Sequence, residues 1–185
     1  MVAFINNQVI VATADGNLRI LNEKLIMKQK LSDGKKRHLK TINFLSGSEN
    51  FIASGDGSGT IRFYKKGDKE PQVKLTTQFI DFYQFQIFSH EKAISGISVQ
   101  GNLLASGSMD NSVQVTDMDK SVQLFEFQHN DSVMCVQLNG RRLITGSKDG
   151  TVRIWSLDAG KQVDRLVSSS KCQNFDLRFG YSDYF

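Results

Sequence analysis

The sequence predicts an all-β fold built from about four similar units, each with four strands. A thirteen-residue pattern, two apolar runs around a short polar turn, occurs without a gap at Val9–Leu21, Ile52–Tyr64, Leu104–Thr116 and Leu143–Trp155. Two β-rich runs joined by such a turn are typical of a hairpin. The turn position falls at Asp15, Ser58, Asp110 and Asp149, with spacings of 43, 52 and 39 residues. Recurrence at about forty residues indicates a repeat array.

The composition is that of a folded chain with a mild positive charge. Of the 185 residues 39% are hydrophobic and one is Pro, so the chain is not of the disordered class. The formal net charge is +4, and basic residues cluster at Lys35–Arg37 and Lys65–Lys66. Because so small an excess is typical of a solvated surface, we prefer that interpretation to a nucleic-acid site.

The cysteines and the N-terminus bear on location and cofactors. Cys135 and Cys172 stand alone, without the spacing of a metal site, and Cys135 is expected to be a buried small hydrophobe. The N-terminus lacks a basic leader, and no apolar run approaches the roughly 18 residues of a membrane span. We therefore expect an intracellular protein, cytoplasmic or nuclear, with no membrane contact, metal or cofactor.

The first unit is predicted over residues 1–31. A short strand, Val2–Phe4, precedes the hairpin, and Lys24–Leu31 predicts a fourth strand with its basic residues outward. The polar stretch Ser32–Arg37 follows as a turn. Each assignment depends on apolar alternation bounded by polar or glycine-containing turns.

The second unit is predicted over residues 38–88 and is the longest. Thr41–Leu45 predicts its first strand, and Ser46–Asn50 predicts a loop before the hairpin. The charged stretch Lys65–Pro71 predicts a second loop. The aromatic-rich run Gln72–Phe88 accounts for the 52-residue spacing, and we interpret it as one strand with extra packing surface.

The third unit, residues 90–127, has the most regular pattern. Its first three strands are predicted at Ile94–Val99, Leu103–Gly107 and Ser112–Asp117. In the fourth strand, Val122 and Leu124 alternate with polar residues, after which the phase slips by one residue at Phe125. A bulge or the end of the strand would both produce this slip.

The fourth unit, residues 129–167, repeats that layout, and residues 168–185 begin a fifth unit without a hairpin. The strands of the fourth unit are predicted at Val133–Leu138, Arg142–Gly146, Thr151–Ser156 and Gln162–Val167. Asn174–Phe179 predicts one further strand. We therefore expect an array that is open at both ends, as a coding fragment, an isoform or a wrong gene model would each be. Open strand edges favour pairing with another chain, so we also expect self-association.

Units with a Ser/Thr-Gly-Ser-x-Asp-Gly turn and a strand ending in Trp resemble WD40 repeats, the blades of β-propellers. The resemblance implies a partial propeller of about four blades. It also implies a network that fixes each blade and joins a His before the first strand, a Ser or Thr, the turn Asp and the Trp. The matching residues are His129, Thr145, Asp149 and Trp155 in the fourth unit, His90, Ser106 and Asp110 in the third, and Asp15 in the first.

The spacing within this network supports the match. His129 and His90 each precede their turn Asp by twenty residues, and His38 precedes Ser58 by the same number, although the intervening strand aligns poorly. A His can bridge a carboxylate and a hydroxyl, while an indole N–H requires an acceptor. A His, a hydroxyl and an Asp also occur in catalytic triads. Because the set recurs with each repeat, we predict a structural role and no enzyme activity.

A finer resemblance concerns the fourth unit. Its short turn at Asn139-Gly140 is similar to the blades of F-box/WD-repeat proteins, the substrate receptors of SCF ubiquitin ligases, some of which bind a phosphorylated degron through top-face arginines. The resemblance implies four candidate partner-binding positions, Ser95, Met109, Met134 and Lys148. Only one of them is basic, and phosphate recognition favours Arg.

Three functions follow from these observations. The preferred one is a non-catalytic scaffold that docks partner proteins or peptides on its loops. The first alternative is the substrate-recognition part of an F-box/WD receptor. The second is a propeller that associates with RNA or DNA through Lys35–Arg37, for which steep salt dependence would be the test.

Overall fold

The computed structural model describes residues 1–5, 8–21, 25, 27–30, 38–66 and 82–167, and every regular element in these ranges is a β-strand. The first half has β1 (Val2–Ile5), β2 (Gln8–Ala12), β3 (Leu18–Leu21), β4 (Met27–Lys30), β5 (Ile42–Gly47), β6 (Phe51–Asp56), β7 (Thr60–Lys66) and β8 (Phe82–Ser89). The second half has β9 (Ile94–Gln100), β10 (Leu103–Ser108), β11 (Ser112–Asp117), β12 (Val122–Gln128), β13 (Val133–Asn139), β14 (Arg142–Ser147), β15 (Thr151–Ser156) and β16 (Lys161–Val167). The prediction of an all-β fold is confirmed.

The strands form four antiparallel sheets in chain order, which we call sheets 1 to 4. They comprise β1–β4, β5–β8, β9–β12 and β13–β16, and within each sheet consecutive strands are neighbours. The first strands lie side by side, β1 by β5, β5 by β9 and β9 by β13. Each sheet therefore packs face to face on the next.

Three apolar clusters fill the spaces between consecutive sheets. Between sheets 1 and 2 the buried residues include Ile10, Leu18, Ile42 and Tyr64. Between sheets 2 and 3 they include Phe63, Ile94, Leu104 and Met118. Between sheets 3 and 4 they include Val113, Phe127, Leu143 and Trp155. Burial of this apolar area is the main force that holds the sheets together, at about 25 cal/mol per Å².

The slip in the fourth strand of the third unit is a β-bulge. Val115 pairs with Phe125, but Thr116 pairs with Gln123, so Leu124 is the extra residue. Sheet 4 repeats the feature, since Ile154 pairs with Asp164 and Trp155 with Gln162. A bulge increases the local right-handed twist of the strand, and both bulges lie in edge strands.

Some predicted boundaries are wrong. Ser46 and Gly47 belong to β5 instead of a loop, and Lys65 and Lys66 continue β7. In both places the strand pairing extends through polar residues, because backbone hydrogen bonds are independent of side-chain polarity. The predictions for residues 31–37, 67–81 and 168–185 lie outside the described residues, and so does most of the N-terminal part of the predicted strand Lys24–Leu31. No helix long and apolar enough to cross a membrane occurs in the described part of the chain.

Candidate functional site

Each described His lies in the loop before the first strand of its sheet, and its backbone is held by the preceding sheet. The N–H of His38 donates to the carbonyl of Gly16, that of His90 to Gly59 and that of His129 to Asn111. The three acceptor residues have positive φ values of 76°, 88° and 75°. Glycine adopts this conformation without strain, and asparagine tolerates it better than most residues. The turn of one sheet thus positions the His of the next.

The contacts are too close for a side chain at the glycines. A Cβ atom on Gly16 would lie 2.1 Å from the carbonyl oxygen of His38, and one on Gly59 would lie 2.3 Å from that of His90. These glycines are therefore required both by their backbone conformation and by the approach of the next loop.

In sheet 4 the predicted network assembles completely. His129 Nε2 lies 2.7 Å from Thr145 Oγ1, and His129 Nδ1 lies 3.3 Å from Asp149 Oδ2. Trp155 Nε1–H donates to Thr145 Oγ1 at 2.8 Å. A consistent proton arrangement follows when Nδ1–H donates to the carboxylate and the threonine hydroxyl donates to Nε2. The His is then neutral, and both ring nitrogens are occupied.

Arg153 adds a cation that the sequence analysis did not single out. Its guanidinium NH2 donates to Asp149 Oδ2 at 2.9 Å, and its NH1 donates to the carbonyl of Gln128 at 2.9 Å. The guanidinium also lies 5.9 Å from the ring centroid of Trp155. Arg153 is nearly buried, so these contacts compensate a charge in a low-dielectric position. The sequence could have indicated this role, because Arg153 follows the turn Asp by four residues, as Arg19 does in the first unit.

Sheet 3 has the same arrangement without the Trp. His90 Nε2 lies 2.9 Å from Ser106 Oγ, and Nδ1 lies 3.2 Å from Asp110 Oδ2 and 2.8 Å from Ser112 Oγ. The backbone N–H of Glu91 also donates to Asp110 Oδ2 at 2.8 Å. The predicted residues of this unit are therefore brought together.

In sheet 2 the carboxylate that contacts the His comes from a different position. His38 Nδ1 lies 2.9 Å from Asp56 Oδ2, and His38 Nε2 lies 2.8 Å from Ser54 Oγ. Ser58, at the turn position, donates its backbone N–H to Asp56 Oδ1 at 2.8 Å. The match of His38 with Ser58 is thus wrong. The Asp of this unit lies two residues before the turn position, and its side chain is long enough to reach His38 from there.

Asp15 in sheet 1 is exposed, and no His contact is described for it. It accepts hydrogen bonds from the Thr13 hydroxyl and, at 2.6 Å, from Asn17 Nδ2, and Arg19 NH2 lies 3.5 Å away. The hydrogen bonds from Thr13 and Asn17 lower the pKa of Asp15 to about 2. Asp15 therefore organises its own turn.

Burial and hydrogen bonding set the charges of the networks. Burial lowers the pKa of His129, and the nearby charge of Arg153 lowers it further, against the opposing effect of Asp149. Burial also lowers the pKa of His38 and of His90. For Asp149, burial favours the neutral form, but hydrogen bonds from Thr151 and from backbone N–H groups keep its pKa well below the usual range. Each network therefore pairs a neutral His with a carboxylate and fixes loops in place.

The four candidate partner-binding residues divide into two pairs. Ser95 and Met134 are the extra residues of bulges in β9 and β13, opposite Gly107–Ser108 and Gly146–Ser147. Ser95 is buried, and its hydroxyl donates to the carbonyl of Val133, so it joins sheets 3 and 4. Met134 is half-buried. The structure therefore assigns Ser95 to packing instead of an exposed surface.

Met109 and Lys148 are exposed and lie on neighbouring loops. The Ser132 hydroxyl donates to the carbonyl of Met109 at 3.3 Å, and the Lys148 N–H donates to the carbonyl of Ser132 at 2.9 Å. Met109 is 40% exposed. Together these three residues form a small surface, the Met109–Lys148 rim, at the end of the sheets that also carries the His loops.

An open cavity of about 230 Å³ lies at the same end, between sheets 1 and 2. It is lined by Ala14, Asp15, Gly16, His38, Leu39 and Lys40. Leu39 is exposed although large and apolar. Among the described residues, no group of three His, Cys, Asp or Glu side chains has the geometry of a metal site.

Comparison with known proteins finds a family match for two parts of the chain. The family described as WD domain, G-beta repeat matches residues 82–117 and 119–156. Each match takes the outer strand of one sheet and the first three strands of the next, so a sequence repeat links two sheets. No curated protein has a sequence similar enough to match this chain.

Solved structures share the fold. A chain of "Crystal Structure of Mitotic Checkpoint Complex" is 22% identical, with a TM-score of 0.74, over 92% of this chain and 51% of that one. The chain of "Crystal structure of RRP9 WD40 repeats" is 23% identical, with a TM-score of 0.66, over 84% of this chain and 46% of that one. The chain thus spans about half the length of the structures it matches, and at this identity the likeness establishes the fold.

Proposed function

Because the chain carries WD40 repeats and has the fold of part of a WD40 β-propeller, we propose that it is a non-catalytic scaffold that docks partner proteins or peptides on the loops of its sheets. WD40 propellers are generally protein-interaction scaffolds without catalytic activity. The observation that carries the proposal is the Met109–Lys148 rim. Its loops are exposed, and the buried contacts of His90 with Asp110 and of His129 with Asp149 fix the residues next to Met109 and Lys148. Pre-ordered loops lose little conformational entropy on binding.

The polar groups of the site support a docking role over a catalytic one. In sheets 3 and 4 the His ring nitrogens already contact a hydroxyl and a carboxylate, and the hydroxyl of Thr145 also accepts the indole N–H. A general base must reach a substrate proton, and these rings are buried under their own loops. Their chemistry is used to hold the rim.

Peptide selection on the purified chain tests the docking proposal. A displayed library of random peptides is selected, and the enriched peptides are measured against the double variant M109D/K148E and the control variant R141E. Arg141 is exposed in the β13–β14 turn, at the opposite end of sheet 4 from Lys148. We expect at least a tenfold loss of affinity for the rim variant only. Equal losses for both variants, or no enrichment, would contradict the proposal.

The F-box/WD substrate receptor is the first alternative, and the exposed Lys148 is the observation that supports it. A phosphopeptide should then bind more tightly than the same peptide without phosphate, and K148A should remove the difference. Equal binding of the two peptides would remove this alternative.

Nucleic-acid association is the second alternative, and the charges weigh against it. Lys65 Nζ lies 2.5 Å from Asp119 Oδ1, so the basic cluster Lys65–Lys66, one of the two in the chain, contacts a carboxylate. Residues 35–37 lie outside the described residues. Retention on RNA that falls steeply with salt would revive this alternative.

The proposal also includes an intracellular location, cytoplasmic or nuclear, because two cysteines in 185 residues are not the dense cysteine pattern of a disulfide-stabilised secreted domain. It further includes self-association, because sheets 1 and 4 each have a face without a neighbouring sheet among the described residues.

A further inference from the structure

Consecutive sheets pack through two different faces. We call the face that contacts the next sheet in the chain the forward face, and the one that contacts the preceding sheet the backward face. In sheet 3 the forward face includes Val113, Val115 and Phe127, all buried under sheet 4. In sheet 4 the backward face includes Val136, Leu138 and Leu143. Every internal contact joins a forward face to a backward face.

The forward face of sheet 4 repeats the apolar character of the forward face of sheet 3. Val152, Ile154 and Leu166 occupy the positions of Val113, Val115 and Phe127 in the repeat. Val152 and Ile154 are half-buried, and Leu166 is 60% exposed. Within the described chain no sheet packs on them.

The backward face of sheet 1 is apolar as well. By register, Val2 and Phe4 occupy the positions of Val136 and Leu138, which are nearly fully buried in sheet 4. Val2 is 65% exposed and Phe4 is 73% exposed. Large apolar side chains so exposed on one face mark a contact surface.

A polar contact at the internal interfaces also has its counterpart. Ser46 Oγ on the forward side of sheet 2 accepts the N–H of Val99, and Ser98 Oγ of sheet 3 accepts the N–H of Leu138, at 3.1 and 3.0 Å. On sheet 4 the same position holds Gln137, whose amide oxygen is an acceptor. On sheet 1 the position of Val99 and Leu138 is held by Phe4.

We propose that two copies of this 185-residue chain associate head to tail, with the forward face of sheet 4 of each copy packed on the backward face of sheet 1 of the other. Two such contacts close a ring of eight sheets with twofold symmetry, which is within the range of known propellers. The contact continues the interface already present between sheets 3 and 4. It specifies the proposed self-association and does not depend on peptide docking at the Met109–Lys148 rim.

The solution mass of the chain and of three single variants tests the proposal, by light scattering after size exclusion at micromolar concentration. Leu166→Asp changes the forward face and Phe4→Asp the backward face. Val122→Asp is the control, since Val122 is 50% exposed on β12, away from both faces. We expect the parent and the control to have twice the 20.8 kDa mass of the chain, and the two face variants to be monomers. Thermal melts establish that all four are folded.

Mixing the two face variants gives the sharper result. In a mixed pair one contact joins two unchanged faces and the other joins two changed faces, whereas in each homodimer both contacts contain one changed face. We expect the mixture of Leu166→Asp and Phe4→Asp to recover dimers that neither variant forms alone. Three results would overturn the proposal: a monomeric parent, dimers formed by each of the single variants Leu166→Asp and Phe4→Asp alone, or open polymers in place of closed pairs. Peptide binding at the rim could persist in each of these cases.

Discussion

Moving the carboxylate of sheet 2 back to the turn position should preserve its network. Sheet 2 has Asp56-Gly57-Ser58 where sheet 4 has Ser147-Lys148-Asp149, so the carboxylate and the hydroxyl have exchanged places. Asp56 contacts His38 at 2.9 Å and accepts the N–H groups of Ser58 and Thr60 at 2.8 and 3.1 Å. In sheet 4 the turn Asp contacts Arg153 as well as His129, whereas the equivalent Arg62 of sheet 2 has a buried Nε without a hydrogen-bond partner.

The expected magnitudes follow from these contacts. Asp56→Ser leaves a buried His and two N–H groups without their acceptor and should cost about 3 kcal/mol. Ser58→Asp places a second carboxylate beside Asp56, at an exposed position, and should cost about 1 kcal/mol. In the double variant the new carboxylate at position 58 can contact both His38 and Arg62. We therefore expect a net loss below about 1 kcal/mol and a coupling energy of about 3 kcal/mol between the two sites.

Chemical and thermal denaturation followed by circular dichroism, at one fixed protein concentration, measures this cycle. For a chain of this size about 3 kcal/mol corresponds to a decrease in Tm of roughly 6–12 °C. The control is Asp56→Ser combined with Ser58→Asn, which has the shape of the rescue without its charge and should not recover stability. If the two substitutions of the rescue variant simply add, the carboxylate positions are not interchangeable and the reasoning is refuted.

Three further predictions concern the same networks. His129→Ala should lower the free energy of unfolding by about 3 kcal/mol because it leaves two buried partners, whereas Trp155→Phe, which loses the bond to Thr145 but retains a ring against Phe127, should cost about 1 kcal/mol. Equal losses in denaturation experiments would show that the Trp hydrogen bond is not the minor contribution. Acid should destabilise the protein, since the folded-state pKa values of His38, His90 and His129 lie below 6.5 and the unfolded chain binds protons first as the pH falls through 6.5. The folded-state pKa values of Asp56 and Asp110 also lie below 3.8, so their contribution is lost at still lower pH; a Tm that stays constant from neutral pH to pH 5 would contradict the histidine part of this prediction. Gly59→Ala should be much more destabilising than Gly101→Ala, because both residues have positive φ but only at Gly59 would the Cβ meet a backbone oxygen, and similar melting temperatures would exclude a close contact between this turn and the His90 loop.

The repeated units could be predicted because their signals are local. The polar turns around Asp110 and Asp149 fix the hairpins, and the resemblance to WD40 repeats, supported by the spacing from His129 to Asp149, predicted the four residues His129, Thr145, Asp149 and Trp155 of the sheet 4 network. Such signals depend on short stretches of backbone and on residue types with few alternatives.

The parts that failed depend on side-chain reach and on strand register. The contact of His38 with Asp56 was missed because a search at the turn position assumes a fixed place for the carboxylate, while the side chain can span two residues. Ser95 was a candidate because of its position in the F-box/WD resemblance, and that position does not reveal that Ser95 is the extra residue of a bulge with its hydroxyl bonded to the carbonyl of Val133. For the contact between His38 and Asp56, the only indication in the sequence was the interval of eighteen residues between them.

The bonds from turn carbonyls to the following His give the assembly a direction. Gly16, Gly59 and Asn111 each accept the N–H of a His that is synthesised later, so every loop docks on a turn that has already left the ribosome. Loss of the preceding unit removes the acceptor of the His N–H, whereas loss of the following unit removes the donor to the turn carbonyl and exposes the apolar face that it covered. The array is therefore suited to folding in chain order during synthesis, because the turn of each folded sheet positions the His loop of the next.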